Sequence, residues 1–272
     1  MEQRYATNPT EIPGLTTQGL RERFLVEDLF VPGEARTVYT HHDRIVLGGV
    51  LPTGEPVALP NPDELRAEYF LQRREVGIVN VGSTGSVTAD GETYELPHCA
   101  VLYIGSGTRD VSFAGDGAAF YLFSAPAHTS YPTVLTLPGE GNTLELGDQV
   151  TSNRRSLEQV VHANGVQSCQ VVMGVTRLHD GSMWNTMPAH THDRRTECYL
   201  YFDLDADARV LHLCGEPTET RHLVVADRQA IISPSWSVHS GVGTSSYAFV
   251  WAMAGENQDF TDMDAVPPTD IR

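Results

Sequence analysis

The chain has 272 residues; all 18 basic side chains are arginine, and 35 acidic residues leave a formal net charge of -17. The lack of any lysine excludes Schiff-base aldol chemistry, pyridoxal catalysis and P-loop nucleotide binding, because each needs an amine that a permanently protonated guanidinium cannot replace. A pI near 4.9 argues against nucleic acid, whose recognition rests on a basic surface, while a local arginine pair can still hold a small anion.

In chain order, the start "MEQRYATNPTEIPG" lacks the basic, apolar, small-residue order of a signal peptide. No run approaches the roughly 18 apolar residues of a membrane span. A cytoplasmic protein without a membrane partner is expected. Helix is expected only near "TTQGLRERFLVEDLF" and "NPDELRAEYFLQRRE". Elsewhere, β-branched and aromatic runs separated by glycine turns recur: "EVGIVNVG", "GSVTADGETYEL", "AVLYIG", "AAFYLF", "CQVVMGVTRL", "ECYLYFDL", "ARVLHLCG", "RHLVVAD", "QAIISP" and "YAFVWAMAG". Such spacing predicts an all-β sandwich or barrel, with a tight hairpin at Asp90 and Gly91. Cys99, Cys169, Cys198 and Cys214 form no Cys-x-x-Cys pair and are expected as buried free thiols.

"YFLQRREVGIVNVG" followed by "CAVLYIGSGTRDVSF" matches in order and spacing "HTHDRRTECYLYF" followed by "QAIISPSWSVHSGV". A repeated β unit of this size predicts two tandem jelly-roll barrels with few short helices, one in residues 1–140 and one in 150–272. The join falls within the threonine-, proline- and glycine-rich "PTVLTLPGEGNTLELGDQV".

"WNTMPAHTHDRRTECYLYF" holds His190, His192 and Glu197, and "SPSWSVHSG" supplies His239 about forty residues later. This layout resembles the cupins, whose first motif carries His-x-His and then Glu and whose second ends in His. Three imidazoles and a carboxylate suit one divalent ion with open positions for substrate. Trp236 stands where the second motif usually has glycine, and the glycines bracketing the first are not at standard spacing. In the first half the equivalent positions are Tyr69, Leu71 and Asp110, which could not hold an ion, so one metal per chain is expected. The adjacent His41 and His42 would point to opposite faces of a strand, poor geometry for a shared ligand set.

The stretches "TQGLRERFLVEDLF", "DRIVLGG", "YFLQRREVGIVNVG", "APAHTSYPT", "TSNRRS", "WNTMPAHTHDRRTE", "SPSWSVHSGVGT" and "GENQDFTDMD" resemble the 4-deoxy-L-threo-5-hexosulose-uronate ketol-isomerase family, also called 5-keto-4-deoxyuronate isomerase. The resemblance implies a bicupin, zinc-containing and commonly hexameric, that isomerises a small ketouronate during pectin or glycosaminoglycan breakdown, with His190, His192, Glu197 and His239 as metal ligands. Mn, Fe, Co and Ni also suit such ligands. An Fe(II)-dependent cupin dioxygenase and a non-catalytic sugar-binding bicupin are the alternatives.

An aldose–ketose shift needs two polarised oxygens and a moving proton. Regular strand alternation would put Tyr199 and Tyr201 on the inward face of Glu197 as proton donors or oxygen partners, with core packing the competing role. The substrate carboxylate needs a cation, for which Arg194, Arg195, Arg154, Arg155 and Arg44 are the candidates. His128 and Tyr131 are weaker pocket candidates.

Overall fold

The computed structural model describes residues 1–259 and 261–272; Phe260, within "GENQDFTDMD", lies outside them. Every β-branched or aromatic run singled out in the sequence carries strand. In the first half a seven-stranded sheet runs, neighbour to neighbour, through Glu2–Arg4, Ala35–Thr40, Val46–Val50, Phe120–Pro126, Arg74–Asn80, Val101–Ile104 and Val134–Thr136. It packs against a four-stranded sheet of Val57–Ala58, Val111–Ala114, Gly85–Ala89 and Glu92–Leu96. The second half repeats this order with Asn142–Leu146, Arg155–Val161, Val172–Leu178, Ala248–Gly255, Arg195–Phe202, Ala230–Ser233 and Leu25–Val26. Its four-stranded sheet is Trp184–Asn185, Ser240–Gly243, Val210–Glu216 and Glu219–Val225. The internal repeat is therefore a repeat of sheet order, and the architecture is the expected all-β bicupin.

Three apolar layers hold it together, and strand alternation sorts residues among them. Along Arg195–Phe202, Tyr199 and Tyr201 point into the second barrel, while Cys198, Leu200 and Phe202 enter the layer between the two seven-stranded sheets. A strand buried on both faces needs apolar residues at consecutive positions, which explains the continuous "CYLYF" run. Each fully buried side chain of this size contributes about 1.5–3 kcal/mol, against about 0–1 kcal/mol for a surface ion pair, so burial rather than the arginine-rich surface determines the fold.

Ala89 pairs with Glu92 around Asp90 and Gly91, whose φ values of +46 and +88 are those of the expected tight hairpin turn. The first expected helix forms at Thr17–Phe24, with Thr16 Oγ1 accepting from the Gly19 N–H. The second does not become an α-helix. It holds only the 3-10 turns Asp63–Leu65 and Phe70–Gln72, separated by Arg66 at φ +47 and an extended Tyr69. The left-handed Arg66 interrupts any continuous helix through the stretch, whose last two residues, Arg74 and Glu75, open a strand. No helix among the described residues is long and apolar enough to cross a membrane.

The N-terminal arm crosses between the halves. Ile12, Leu20, Phe24 and Leu25 are buried in the second barrel's core, and Leu25–Val26 pairs with the strand Ala230–Ser233. A second link is polar: Glu75 is fully buried and accepts from the N–H groups of Cys169, Gln170 and Val171 at 2.7–2.8 Å and from the Tyr103 hydroxyl at 2.7 Å.

A third link is the ion pair of His98 Nε2 with Asp203 Oδ2 at 3.1 Å. Asp203 first, then Cys99, pushes the His98 pKa up to about 10. A folded pKa above the unfolded value of about 6.5 adds stability that is fully present below pH 6.5 and lost as pH rises through about 10. The side chains are 39% and 48% exposed, so solvent keeps the effect small. Asp203→Asn is expected to lower the melting temperature relative to wild type at pH 6 and to leave it unchanged at pH 11. Equal losses at both values would remove the ion pair as the cause.

Candidate metal centre

His190 lies on the short strand Ala189–Thr191, held by pairing with Asp264–Val266; His192 follows it, Glu197 opens the strand Arg195–Phe202, and His239 directly precedes Ser240–Gly243. These four side chains come from the two facing sheets of the second barrel and a strand at its mouth. Their ligand atoms all lie within 4.8 Å of one another. His192 Nε2 is 2.9 Å and His239 Nε2 3.0 Å from Glu197 Oε2, and His190 Nε2 is 2.9 Å from His239 Nε2.

The outward ring nitrogens fix the ring orientations. His192 Nδ1 donates to the Arg195 carbonyl at 3.0 Å and His239 Nδ1 to the Ser237 carbonyl at 3.3 Å. Both rings thus turn Nε2 inward, as second-partner hydrogen bonds do for metal-ligating histidines. Burial, reinforced by His239, pushes the His190 pKa down to about 3. Burial alone would raise the Glu197 carboxyl, but His239 and His192 hold it well below the usual carboxylate range. Three imidazoles converging on a buried carboxylate form a set whose chemistry, imidazole plus carboxylate, fits a borderline divalent ion.

The cluster opens on a cavity of about 220 Å³ whose wall includes Arg155, Thr176, Thr186, Tyr199, Trp251 and Met253. Tyr199 is buried there, its hydroxyl 3.1 Å from Thr186 Oγ1, and burial raises its pKa well above the ordinary value. Tyr201 shares the inward face but sits deeper and does not border the cavity. Its hydroxyl is 2.8 Å from His212 Nδ1 and accepts from Asn185 Nδ2 at 3.3 Å.

The arginines separate cleanly. Arg194 is bound bidentately by Asp262, at 3.0 and 2.6 Å, and also reaches Asp264, outside the cavity. Arg195 borders the cavity, but its terminal nitrogens donate to Asn257 Oδ1 and the carbonyls of Asp259 and Asp262. Arg155 also borders it and, among the described residues, donates only to the Asn153 carbonyl, at 2.8 Å. Arg154 lines a separate surface hollow with His179 and Asp180. Arg44 lies in the first half beside Tyr39 and His41.

His128 is exposed on a loop away from the cavity, and Tyr131 packs against the layer between the barrels. His41 stacks on Tyr5, and His42 Nε2 accepts from the Thr7 N–H. In the first half, Leu71 is core, Asp110 is exposed, and the Tyr69 ring carries the Arg109 guanidinium at 4.6 Å. Trp236, at the unusual motif position, packs edge-on against Phe24 of the crossing arm. Thr176 and Thr186 were missed from sequence. The available signal was a lone threonine on the inward face of an otherwise apolar strand, Val172–Leu178, legible only once the facing of that strand is known.

The profile of the KduI/IolB family matches residues 25–266. The chain belongs to this family. Among curated members, the 4-deoxy-L-threo-5-hexosulose-uronate ketol-isomerase of Kineococcus radiotolerans is 62% identical and that of Bacillus pumilus 55% identical, each match covering 100% of both chains. Of solved structures, an IolB-like protein from Salmonella typhimurium superposes with a TM-score of 0.67 at 16% identity, covering 82% of this chain and 87% of that one. Lactobacillus farciminis oxalate decarboxylase gives 0.58 at 10% identity, covering 85% and 83%. These two bear on the fold alone, and both agree with the cupin architecture. The family resemblance drawn from the sequence motifs is borne out along nearly the whole chain.

Proposed function

We propose that this chain is a metal-dependent aldose–ketose isomerase converting 4-deoxy-L-threo-5-hexosulose uronate (5-dehydro-4-deoxy-D-glucuronate) into 3-deoxy-D-glycero-2,5-hexodiulosonate. The observation that carries the proposal is the convergence of His190, His192, Glu197 and His239 within 4.8 Å of one another, the first three of them lining a small cavity, in a chain so close to curated ketol-isomerases. Zinc is the ion proposed, one per chain, since the isomerisation requires no change of metal oxidation state. A metal-free first barrel in residues 1–140, a metal-binding second in 150–272, a homohexamer, and a cytoplasmic role in pectin and uronate breakdown belong to the same proposal.

His190, His192, Glu197 and His239 would hold a divalent ion, which would supply Lewis-acid polarisation of the substrate. The chain's own groups do the rest. Burial of His192, Glu197 and His239 keeps bulk water from the reacting end and strengthens every electrostatic contact there. The Tyr199 hydroxyl, steadied by Thr186, is the proton donor we favour for an oxygen of the substrate, on the strength of its position in the cavity wall. Tyr201 is assigned to the buried network with His212 and Asn185.

The test is an NMR time course of the ketouronate in D2O with chelator-stripped and zinc-restored protein. Conversion is expected only after restoration, with deuterium on the new CH2OH carbon, because an enediol route passes its proton to an exchanging group. Product without deuterium under single turnover would point to direct hydride transfer, and oxygen uptake by ferrous protein without isomerisation would point to a dioxygenase.

A further inference from the structure

The first barrel lacks counterparts of the metal ligands but keeps a charged side chain at the matching place. Arg73 and Arg74 align with Arg194 and Arg195 in the internal repeat, and the strands Arg74–Asn80 and Arg195–Phe202 hold the same position in their seven-stranded sheets. Val76 therefore stands where the second barrel has Glu197. Val76 and Ile78 point into the first barrel's core, so Arg74, two residues before Val76, faces the same way at the strand's start.

Arg74 is 7% exposed and has no ion pair among the described residues. Its Nε donates to Ser124 Oγ at 3.0 Å, and its Nη2 to the carbonyls of Arg44 at 2.7 Å and Ser124 at 2.9 Å. Nη1 has no partner among the described residues and is not closed to solvent. The adjacent Glu75 faces the other way, its oxygens taken by the 169–171 N–H groups and Tyr103. A buried guanidinium bonded only to neutral acceptors leaves a positive charge unbalanced, and burial pulls its pKa down to about 10.

Arg74 borders a hollow of about 430 Å³ that Arg44 and Arg66 also line, and that shares no residue with the cavity at the metal cluster. Both are exposed, and neither side chain has a hydrogen bond or ion pair among the described residues. Their backbones are held by the arginine pair: Arg74 bonds the Arg44 carbonyl, and Arg73 Nη2 donates to the Arg66 carbonyl at 2.6 Å. Arg44 and Arg66 sit at φ +55 and +47, where glycine is least strained, so each long cationic side chain is kept against the backbone's preference. Among the described residues the wall has one carboxylate, Glu64, and it is bound to the Met1 ammonium at 2.9 Å. Guanidiniums thus outnumber carboxylates by at least two here, in a chain whose net charge is -17.

We propose that this hollow is an anion site of the first barrel, separate from the metal centre, and that it takes a small dianion of the phosphate class. Arg74 offers Nη1 from the buried side, and Arg44 and Arg66 close on the remaining oxygens from the rim. The charge excess favours two negative charges over one.

Calorimetric titration of the zinc-loaded protein with inorganic phosphate, in about 0.15 M salt to screen weak surface pairing, tests the site. Wild type is expected to bind one phosphate per chain, with the same affinity after zinc is stripped. Sulfate should compete, and acetate at equal concentration should not. Arg44→Gln and Arg66→Gln should each weaken phosphate binding by about 3–5-fold, and together by about 10-fold or more. Arg74→Gln should weaken it by about 10–100-fold. Because Arg74→Gln also removes buried bonds to Ser124, the two rim variants, which leave the melting temperature of the chain unchanged, keep the test independent of folding. Wild type that binds no phosphate, a rim double variant that binds as wild type does, or binding that disappears with zinc would each overturn the proposal. Acetate competing as well as sulfate would overturn the preference for a dianion.

Discussion

His239→Ala and His190→Ala are each expected to release the metal and reduce turnover by about three orders of magnitude or more while the chain stays folded. The four ligand side chains meet at a cavity wall, and the apolar layers of the two barrels are built from other residues. Stability should therefore fall by no more than the metal-linkage contribution, about 3–4 kcal/mol at an ion concentration 100–1,000 times its Kd. In chelator the variants should unfold within about 1 kcal/mol of metal-free wild type, because neither imidazole belongs to the apolar layers that hold the barrels. Metal content by atomic emission, together with urea titrations with and without chelator, checks each part. Unfolding of either variant in chelator, where wild type stays folded, would make His190 or His239 a structural residue.

The second large effect is expected at Glu75, far from the metal cluster. Its two oxygens accept from three consecutive backbone N–H groups of the second half and from the Tyr103 phenol, with no exposure to solvent. Hydrogen bonds to a charged group are worth about 1.5–3 kcal/mol each, and a donor left buried without a partner costs a similar amount. These contributions share one carboxylate and do not add in full. Glu75→Ala is expected to destabilise by about 4 kcal/mol. Glu75→Gln should cost about 2–3 kcal/mol, because its amide turns donors toward donors while keeping the shape. Urea denaturation of both variants measures this; a Glu75→Gln loss below about 1 kcal/mol would contradict the carboxylate clamp. The metal cluster shares no residue with this clamp, so metal affinity of the folded variants should be unchanged.

Sequence by itself determined the parts of this protein whose causes are local. Strands followed from β-branched and aromatic runs, and the Asp90–Gly91 turn from residues that tolerate positive φ. The ligand set was legible because three of its members lie within eight residues and the fourth follows a turn one hairpin later. The repeat was legible because the two halves share a pattern, and the sheet orders match. The second expected helix is broken at the left-handed Arg66, and its end is drawn into the strand Arg74–Asn80 by pairing with distant strands.

Only the tertiary structure decided which arginines border the cavity and which of those is least tied down. Five guanidiniums look alike in sequence, but Asp262 and Asp264, some seventy residues away, engage Arg194, and the 257–262 segment holds Arg195. Arg155 and Thr176 reach the cavity through the register of three strands distant in sequence. The crossing arm and the Glu75 clamp likewise join segments about two hundred and about ninety-five residues apart, respectively. Side-chain facing and register across such separations are set by which packed layer each segment completes. That is a property of the whole folded chain, and no local periodicity encodes it.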